Sequence, residues 1–453
     1  MDLADQKVLT IGLGRSGVAA ARLCLEKGAR VTATDATPRE RLSKEALALE
    51  AAGATLAAGG HPASLFDGVD LVVISPGVPS FPALEAFEKA GGEVIGELEL
   101  AARFFEGTPI ALIGGTNGKS TTTALVHAML EAAGKKVFIG GNFGTPLAEV
   151  VGQSFDAIVL EISSFQAERV PKLHARAHAL LNITDDHLDR YSSFQAYADA
   201  KGNPFVTMGP EDTAVIPHGD PLCAKQAARG GARVVTFSAT DEAATVRPVG
   251  GSIVHGDAWH SFPLDALQIA GKHNVENACA ALGVVAAFGV PFDDSAESWL
   301  ARAVRTFRGL GHRTVLVGVI DGVRYYDDSK GTNVGASVAA LRGLAEEKAV
   351  LIAGGKDKLG AYEPLVDALR DKGRGLVLIG EAADRIAAAA QGVLPIERAG
   401  SMDEAVQLAR RLAQPGDAVL LSPACSSFDM FRDYKERGDQ FARAALAMME
   451  VRS

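Results

Sequence analysis

Short apolar runs alternate with longer stretches of helical periodicity along most of this chain. The first such unit has an apolar run at 8–11, a glycine-rich turn at 12–17 and a helical stretch at 18–27. Strands that alternate with helices favour a parallel sheet, whose loops at the carboxyl edge carry ligands. The pattern therefore predicts an α/β protein. The apolar runs predicted as strands are 8–11, 30–34, 70–75, 110–113, 157–160, 177–181, 315–319, 323–326, 349–352, 376–379 and 418–421.

The segment that follows the predicted strand 110–113 is the most informative in the chain. It reads Gly-Gly-Thr-Asn-Gly-Lys-Ser-Thr-Thr at 114–122 and passes directly into the helical pattern 123–130. Glycines let backbone N–H groups converge on phosphate oxygens, a helix N-terminus favours negative charge, and the Ser120 hydroxyl can ligate magnesium. A strict nucleotide loop would have glycine where Ile113 stands, so this loop is one residue shorter. Helix capping is the structural alternative, but the strand–loop–helix context favours ATP binding.

Polar residues that suit a metal or a phosphate follow other predicted strands. Glu161 ends the strand 157–160, and an acidic segment that contains His187 follows the strand 177–181. Mg²⁺ prefers a few carboxylates together with substrate oxygens. A lone histidine is more often structural than a ligand, but this one stands among acids in a chain with a nucleotide loop. We therefore expect His187 to have a metal or phosphate role.

The glycine pattern Gly-Leu-Gly-Arg-Ser-Gly at 12–17, followed by Asp35, is typical of a dinucleotide site in which the acid binds a ribose hydroxyl. The block ends near Glu97, which is too short for both halves of a full dinucleotide domain. A nucleotide-diphosphate ligand fits the same geometry, because a helix N-terminus binds pyrophosphate whatever is attached to it. Both ligand classes stay open on this motif.

Composition narrows the classes of protein and of partner. A chain of 453 residues predicts about three domains of roughly 150 residues each. The net charge of −10 argues against a nucleic-acid partner, and the four cysteines lie far apart without a CxxC pair, which favours a reducing compartment. We see no signal-peptide pattern and no apolar run long enough to span a bilayer. We therefore expect a cytoplasmic protein without a nucleic-acid or membrane partner, and a monomer, because nothing in the sequence suggests an extended apolar face.

Taken together, the motifs resemble those of the Mur ligases of bacterial cell-wall synthesis. They occur in the family's order through nearly the whole chain, and the short ATP loop is the family's own form. The matching segments are 12–17, 75–78, 115–120, 160–166, 186–191, 273–277, 312–313, 328–333 and 422–427.

The resemblance implies three domains and an amide-forming reaction. It implies a Rossmann-like N-terminal domain for a UDP-sugar at 1–97, a central P-loop ATPase-type parallel-sheet domain at 98–309, and a Rossmann-like C-terminal domain for an amino acid at 310–453. A substrate carboxylate would attack ATP to form an acyl phosphate, and an amine would then displace phosphate. The Asp-Ser-Lys-Gly-Thr-Asn form of 328–333 resembles the member that adds D-glutamate to UDP-N-acetylmuramoyl-L-alanine. Members that add L-alanine, a diamino acid or a dipeptide typically carry an Asp-Tyr-Ala-His-like sequence there.

The resemblance also implies roles for individual positions. The expected ATP contacts are Gly115, Thr116, Asn117, Gly118, Lys119, Ser120, Thr121, Asn274, Asn277, Arg313 and Asp328. The expected UDP-substrate contacts are Gly14, Arg15, Ser16, Asp35, Thr37, Ser75, Gly77 and Asn142. The expected D-glutamate contacts are His187, Lys330, Thr332, Lys358, Ser427 and Phe428. Two magnesium ions are expected on Ser120, Glu161, His187 and Lys201, and the expected catalytic residues are Lys119, His187, Lys201 and Lys330.

Lys201 falls where the family has a lysine that carbon dioxide carbamylates. An ammonium group cannot ligate magnesium, whereas a carbamate inverts the charge and supplies two oxygens. The following sequence, Gly-Asn-Pro-Phe at 202–205, departs from the family pattern, and a solvent-exposed helix lysine is the alternative. Thr37 also departs from the family, which has an arginine near Asp35.

Three other functions stay open. A sister ligase would add a different amino acid to a UDP-muramoyl substrate. A nicotinamide-dependent oxidoreductase would use the first glycine loop and Asp35 but would leave the ATP loop unexplained. A non-catalytic nucleotide sensor would bind ATP without turnover and would give the lysines of the third block no role. Folylpolyglutamate synthase shares the central domain but lacks an N-terminal UDP-binding unit.

Overall fold

Three β-sheets follow one another along the chain and organise its structure. The computed structural model describes residues 1–187, 190–256, 260–269, 271–291 and 298–450. Strands alternate with helices in each of the three units, which confirms the α/β class predicted from the apolar runs. Within these described ranges, no helix combines the length and the apolar character that crossing a membrane requires.

The first sheet is fully parallel, with the strand order β3-β2-β1-β4-β5. Its strands are β1 Lys7–Ile11, β2 Arg30–Asp35, β3 Thr55–Ala58, β4 Leu71–Ile74 and β5 Glu93–Gly96. Its helices are α1 Arg15–Glu26, α2 Lys44–Ala51, α3 Pro82–Lys89 and α4 Glu97–Ala102. The connection changes direction between β1 and β4, and such a switch point opens a ligand crevice at the carboxyl edge.

The second sheet has the order β14-β13-β12-β11-β10-β9-β6-β8-β7. Its strands are β6 Ile110–Gly114, β7 Val137–Gly141, β8 Ala157–Glu161, β9 Ala177–Leu180, β10 Thr213–Pro217, β11 Arg233–Phe237, β12 Val246–Val249, β13 Ser252–His255 and β14 His260–Pro263. Its helices are α5 Lys119–Ala132, α6 Ser164–Ala167, α7 Phe194–Gly202, α8 Pro221–Ala227, α9 Lys272–Ala286 and α10 Trp299–Thr306. Strand β6 is buried along its whole length, as is typical of a parallel strand covered on both faces, and the ATP loop follows it between the neighbouring strands β9 and β8.

The third sheet has the order β15-β16-β20-β17-β18-β19, and only the pair β15–β16 is antiparallel among its described pairings. Its strands are β15 Val315–Ile320, β16 Val323–Asp327, β17 Ala349–Gly354, β18 Gly373–Ile379, β19 Ile396–Arg398 and β20 Ala418–Leu421. Its helices are α11 Val334–Gly343, α12 Glu363–Lys372, α13 Ala383–Ala389, α14 Met402–Leu412 and α15 Tyr434–Glu450. Single 3₁₀ turns lie at Arg39–Arg41, Ala63–Phe66, Leu147–Val150, Asn203–Phe205 and Leu264–Ala266.

Every strand predicted from an apolar run is present, but the sequence analysis did not predict β3, β5, β7, β10, β11 or β19, nor the antiparallel strands β12–β14. The segments of β12–β14 contain histidine, serine, arginine and proline at positions where an apolar run would be needed for recognition. Helices α1 and α5 also begin earlier than predicted, at Arg15 and Lys119, because the last residues of each glycine loop form the first helical turn.

Glu99 in α4 links the first unit to the second. Its side chain is fully buried, and its Oε2 accepts hydrogen bonds from the backbone N–H groups of Lys172 (3.1 Å) and Leu173 (2.7 Å). Its Oε1 accepts from Nε of Arg103 at 2.8 Å. Arg103 also pairs with the more exposed carboxylate of Glu93 at 2.8 Å. One buried carboxylate thus satisfies donors from two units.

We expect Glu99→Ala to lower the free energy of unfolding by about 3 kcal/mol, because it leaves the buried N–H of Leu173 and the part-buried N–H of Lys172 without their acceptor and removes the buried one of the two carboxylates that pair with Arg103. Glu93→Ala is the matched control, since it removes the other carboxylate from the same Arg103 at a position that is 40% exposed. That change should cost less than ~1 kcal/mol. Urea denaturation followed by circular dichroism measures both values, and equal losses would contradict the role given to Glu99.

Candidate active site

The ATP loop joins β6 to α5 in a conformation that needs glycine. Gly115 and Gly118 have φ angles of +135° and +85°, and a Cβ at Gly118 would overlap the side chain of Asn277. The side-chain oxygen of Asn182, after β9, accepts hydrogen bonds from the N–H groups of Thr116 (3.1 Å) and Asn117 (2.8 Å). A neighbouring strand therefore holds the loop in shape.

Lys119 folds back over this loop. Its Nζ donates to the carbonyl oxygens of Gly115 (3.0 Å) and Thr116 (2.8 Å). Desolvation lowers the pKa of Lys119, and the carboxylates of Glu161 and Asp186 oppose that shift. Because neutral carbonyls are the hydrogen-bond acceptors, the ammonium group retains an unneutralised charge that suits phosphate oxygens.

Ser120 and Glu161, two of the predicted magnesium ligands, are in direct contact. Ser120 Oγ donates to Glu161 Oε2 at 2.5 Å, and Asn142 Nδ2 donates to Glu161 Oε1 at 2.6 Å. Arg313, from the third unit, donates to Ser120 Oγ at 2.8 Å. Asn142, predicted on the UDP side, thus lies beside the predicted metal ligands.

This donor set suits Mg²⁺. The described part of the chain contains no group of three or more His, Cys, Asp or Glu side chains that could hold a metal ion. Mg²⁺ commonly takes one or two carboxylates and completes its octahedron with phosphate oxygens and water. The hydroxyl of Ser120 and the carboxylate of Glu161 offer that kind of partial shell.

Lys201 is buried, with 5% of its surface exposed, so the alternative of a solvent-exposed helix lysine is wrong. Its Nζ donates to Gly115 O at 2.7 Å and lies 4.7 Å from the centre of the Tyr197 ring. Desolvation and then the nearby Lys119 charge place the pKa of Lys201 well below its usual value. The neutral amine, which is the nucleophilic form, is thereby favoured.

His187 faces the same aromatic ring. Its imidazole lies 6.5 Å from the Tyr197 ring and 4.8 Å from the Phe165 ring, and its backbone has a φ of +55°. His187 and Lys201, two predicted metal ligands, therefore flank Tyr197. Residues 188 and 189 of the predicted motif 186–191 lie outside the described residues.

The other residues predicted to contact ATP lie in two places. Asn277 donates to Asn274 Oδ1 at 3.1 Å and accepts from Thr122 in α5 at 3.3 Å, while Thr121 is buried in the same helix. Asp328 is on the third unit, where it accepts from Ser422 Oγ at 2.6 Å and from the backbone of Thr314 at 3.1 Å. Desolvation raises the pKa of Asp328 to about 7 despite these bonds.

The third unit places two more lysines at the cleft. Lys330 Nζ lies 3.9 Å from the centre of the Tyr434 ring, and desolvation lowers the pKa of Lys330 to about 8. Lys358 Nζ pairs with Asp186 of the central unit at 3.1 Å. This pair borders a cavity of about 280 Å³ between the two units, which His187 also lines.

The remaining residues predicted for D-glutamate differ in exposure. Ser427 is buried, Thr332 is half-buried, and Phe428 has 70% of its surface in solvent. An exposed phenylalanine of this size is unusual, and it lies in the loop that follows β20, at the carboxyl edge of the third sheet.

The UDP-side residues cluster at the carboxyl edge of the first sheet. Asp35, at the end of β2, accepts from the N–H groups of Leu13 (2.6 Å) and Thr37 (2.8 Å). Burial by itself would raise the pKa of Asp35, but these hydrogen bonds outweigh it and the pKa is lowered. Ser75 Oγ donates to Gly12 O at 2.7 Å and holds the glycine loop. The half-buried Ser16 and the exposed Gly14 and Gly77 complete this edge.

Arg15 connects this edge to the central unit. Its guanidinium donates to Gly144 O at 2.8 Å, two residues from Asn142. The structure thus brings the first glycine loop, the β7 loop and the ATP loop to one side of the molecule.

Sequence reasoning did not select Asp186, Asn333, Asn182 or Tyr197. Asn182 and Asp186 stand in the polar segment after β9, so their position at a strand end was a usable signal. Asn333 belongs to the segment 328–333, but nothing in that segment indicates which residues of another unit it contacts. Tyr197 lies near Lys201 and His187 because helix α7 packs against the ATP loop. No local sequence pattern reports that packing.

Three family profiles match the chain in succession. They describe a MurD-like N-terminal domain at 6–96, a Mur ligase middle domain at 113–285 and a Mur ligase glutamate ligase domain at 312–425. The chain belongs to the Mur ligase family.

Three full-length relatives of this Mur ligase share one name. The UDP-N-acetylmuramoylalanine--D-glutamate ligase of Syntrophotalea carbinolica is 45% identical over 454 residues, which cover 99% of each chain. The proteins of that name from Geotalea daltonii and Geobacter metallireducens are 42% and 43% identical, again over 99% of each chain.

Solved structures support the fold of this Mur ligase. A pseudomurein peptide ligase type C from Methanothermus fervidus has a TM-score of 0.61 and 17% identity, covering 98% of this chain and 100% of that one. The MurF ligase of Thermotoga maritima in complex with ADP has a TM-score of 0.61 and 15% identity, covering 100% and 97%. At these identities the likeness establishes the three-unit architecture.

The raised pKa of Asp328 generates a stability prediction. A carboxyl group whose pKa is higher in the folded than in the unfolded protein binds its proton more tightly when folded, so stability falls as pH rises between the two values. Relative to Asp328→Asn, which keeps the shape of the side chain, the wild type should lose several kcal/mol of stability between about pH 4 and about pH 7. Urea denaturation of both proteins measures these stabilities. If the stability of the wild type and that of Asp328→Asn change with pH in the same way, a buried, neutral Asp328 is contradicted.

Proposed function

We propose that this Mur ligase adds D-glutamate to UDP-N-acetylmuramoyl-L-alanine at the expense of ATP, a step in making peptidoglycan precursors. The observation that carries the proposal is the meeting of the ATP loop with cations of the third unit, where Arg313 contacts Ser120 and Lys358 contacts Asp186. The full-length relatives with the corresponding name support the choice of substrates.

The reaction has two steps. The L-alanyl carboxylate attacks the γ-phosphorus of ATP, the bond to the β–γ bridging oxygen breaks, and an acyl phosphate and ADP form. The amine of D-glutamate then attacks the acyl carbon, and collapse of the tetrahedral intermediate forms the amide and releases phosphate and a proton. A free carboxylate is a poor electrophile, so the first step supplies the leaving group that the second one needs.

The main difficulty of this chemistry is that two anions, the substrate carboxylate and the triphosphate, must approach each other. Cationic residues of the cleft reduce the repulsion between them. Lys119 binds the phosphates through an ammonium group that has only carbonyl acceptors. Ser120 and Glu161 would hold the first magnesium ion, and His187 and a carbamylated Lys201 would hold a second. When bound, the ions neutralise charge on the phosphates as it develops.

Lys201 acts as a carbamate. Its neutral amine attacks the carbon of CO₂, a C–N bond forms as one C=O π bond opens onto oxygen, and the nitrogen releases a proton to water, which gives an anionic group with two oxygens. Burial and the neighbouring Lys119 support this, because both disfavour the ammonium form.

The other contacts follow the predicted assignments. D-Glutamate has two carboxylates that need donors when they leave water, and Lys330, Lys358, Thr332 and Ser427 supply them, with His187 and Phe428 at the borders of the site. Asn274, Asn277, Arg313 and Asp328 bind the nucleotide. The edge around Arg15, Asp35 and Ser75, together with Asn142, binds the UDP-substrate. The enzyme acts as a cytoplasmic monomer divided at 1–97, 98–309 and 310–453.

The decisive test is phosphate release from Mg-ATP and UDP-N-acetylmuramoyl-L-alanine with an acceptor panel. We expect turnover with D-glutamate and only background with L-glutamate, L-alanine, L-lysine or no amino acid. Turnover with another acceptor would identify a sister ligase. No acceptor-dependent release would refute ligase activity and leave a nucleotide sensor.

Lys201→Ala should lose most activity and regain part of it when acetate or formate is added, because a small carboxylate can occupy the space of the missing carbamate. Lys225→Ala is the control, since Lys225 is an exposed lysine on α8 of the same unit. A carbamate resonance in the wild type after incubation with isotope-labelled bicarbonate, absent from the Lys201 variant, would support the modification independently of activity. If neither the rescue nor the resonance is observed, the modification is excluded.

A further inference from the structure

The side chain of Asn333 makes three hydrogen bonds that join two units. Its Oδ1 accepts from the N–H of Ala336 at 2.8 Å and so caps the N-terminus of α11. Its Nδ2 donates to Asn117 Oδ1 of the ATP loop at 3.0 Å and to Asp186 Oδ2 at 3.2 Å. One amide thus uses its oxygen within the third unit and its nitrogen toward the central unit.

Asp186 is the common acceptor at this junction. Its nearly buried carboxylate, 8% exposed, also accepts from Lys358 Nζ at 3.1 Å and from the backbone N–H of His187 at 3.0 Å. The carboxylate therefore accepts donors from both units, with Asn333 and Lys358 on the third and the backbone of His187 on the central one.

Gly335 provides a second, independent sign that the first turn of α11 is built to approach the ATP loop. A Cβ at this position would lie 3.2 Å from Asn117 Nδ2 and 3.6 Å from Thr184 Oγ1. Such a contact is tight, so a side chain here would push the helix away from the loop. The absence of a side chain allows the amide of Asn333 to reach Asn117.

We propose that Asn333 is a positioning residue that seats the amino-acid-binding unit on the ATP loop and, through Asp186, orients Lys358. This proposal about Asn333 rests on the proposed function in one respect, namely that Lys358 binds the acceptor amino acid. Asn333 itself touches neither ATP nor the acceptor in this assignment. Its amide makes the acceptor site depend on the conformation of Asn117, two residues before Lys119.

Asn333→Asp separates this role from helix capping. Aspartate caps a helix as well as asparagine does, so the bond to Ala336 and the stability of α11 should persist. The substitution removes the amide donor and places a carboxylate against Asp186, where like charges repel. The matched control is Ser401→Asp, which puts the same carboxylate at the exposed N-cap of α14 in the same unit.

We expect Asn333→Asp to lower kcat/KM for D-glutamate by about tenfold to a hundredfold, which corresponds to losing one hydrogen bond to a charged group. Affinity for ADP should change by less than about twofold, since the nucleotide contacts stay in place. The radius of gyration of the ligand-free protein should increase. Adding Asp186→Asn to Asn333→Asp should restore part of the loss, because the new amide can donate to the new carboxylate.

The outcomes distinguish the two proposals. Wild-type kinetics and wild-type dimensions for Asn333→Asp, as for Ser401→Asp, would show that Asn333 is only a cap and would overturn the inference. A wild type that turns over no D-glutamate would refute the proposed function instead. The scattering comparison would still test the junction in that case, because it does not require turnover.

Discussion

Lys119 and Lys201 both donate to the carbonyl oxygen of Gly115, and the chemistry of the cleft depends on this shared acceptor. Desolvation in this poorly hydrated place lowers the pKa of both amines, and the nearby charge of Lys119 lowers the pKa of Lys201 further. Such a site favours whatever supplies negative charge, whether a triphosphate beside Lys119 or a carbamate formed on Lys201.

The overall charge of the chain gives no hint of this local excess. The formal net charge is −10, yet Arg313 and Lys330 extend the positive cleft from the third unit. Glu161 and Asp186 are the anions placed against them, and each is engaged by donors from more than one element. This distribution of charged side chains leaves cationic groups available to anionic substrates, and it limits where a divalent cation can bind.

Side-chain hydrogen bonds join the central and third units at this cleft. Arg313 contacts Ser120, Asn333 contacts Asn117, and Lys358 contacts Asp186. Polar interfaces of this kind between units of one chain permit relative motion. A substrate phosphate or carboxylate can replace individual partners in them, so binding and the seating of the third unit are coupled.

The sequence by itself determined the three-unit α/β architecture and the position of the ATP loop. Buried parallel strands are continuous apolar runs, and the loops after them carry the polar residues, so Glu161 and His187 were recognisable as site candidates. The tertiary structure decided that Lys201 is buried against Gly115, that Asn142 pairs with Glu161, and that Asn333 spans two units. The antiparallel strands β12–β14 are likewise recognisable only in the tertiary structure, because polar residues interrupt their apolar pattern in the sequence. Local patterns report the environment of a residue relative to its chain neighbours, whereas these contacts join residues up to 216 positions apart, and only packing of the folded chain brings them together.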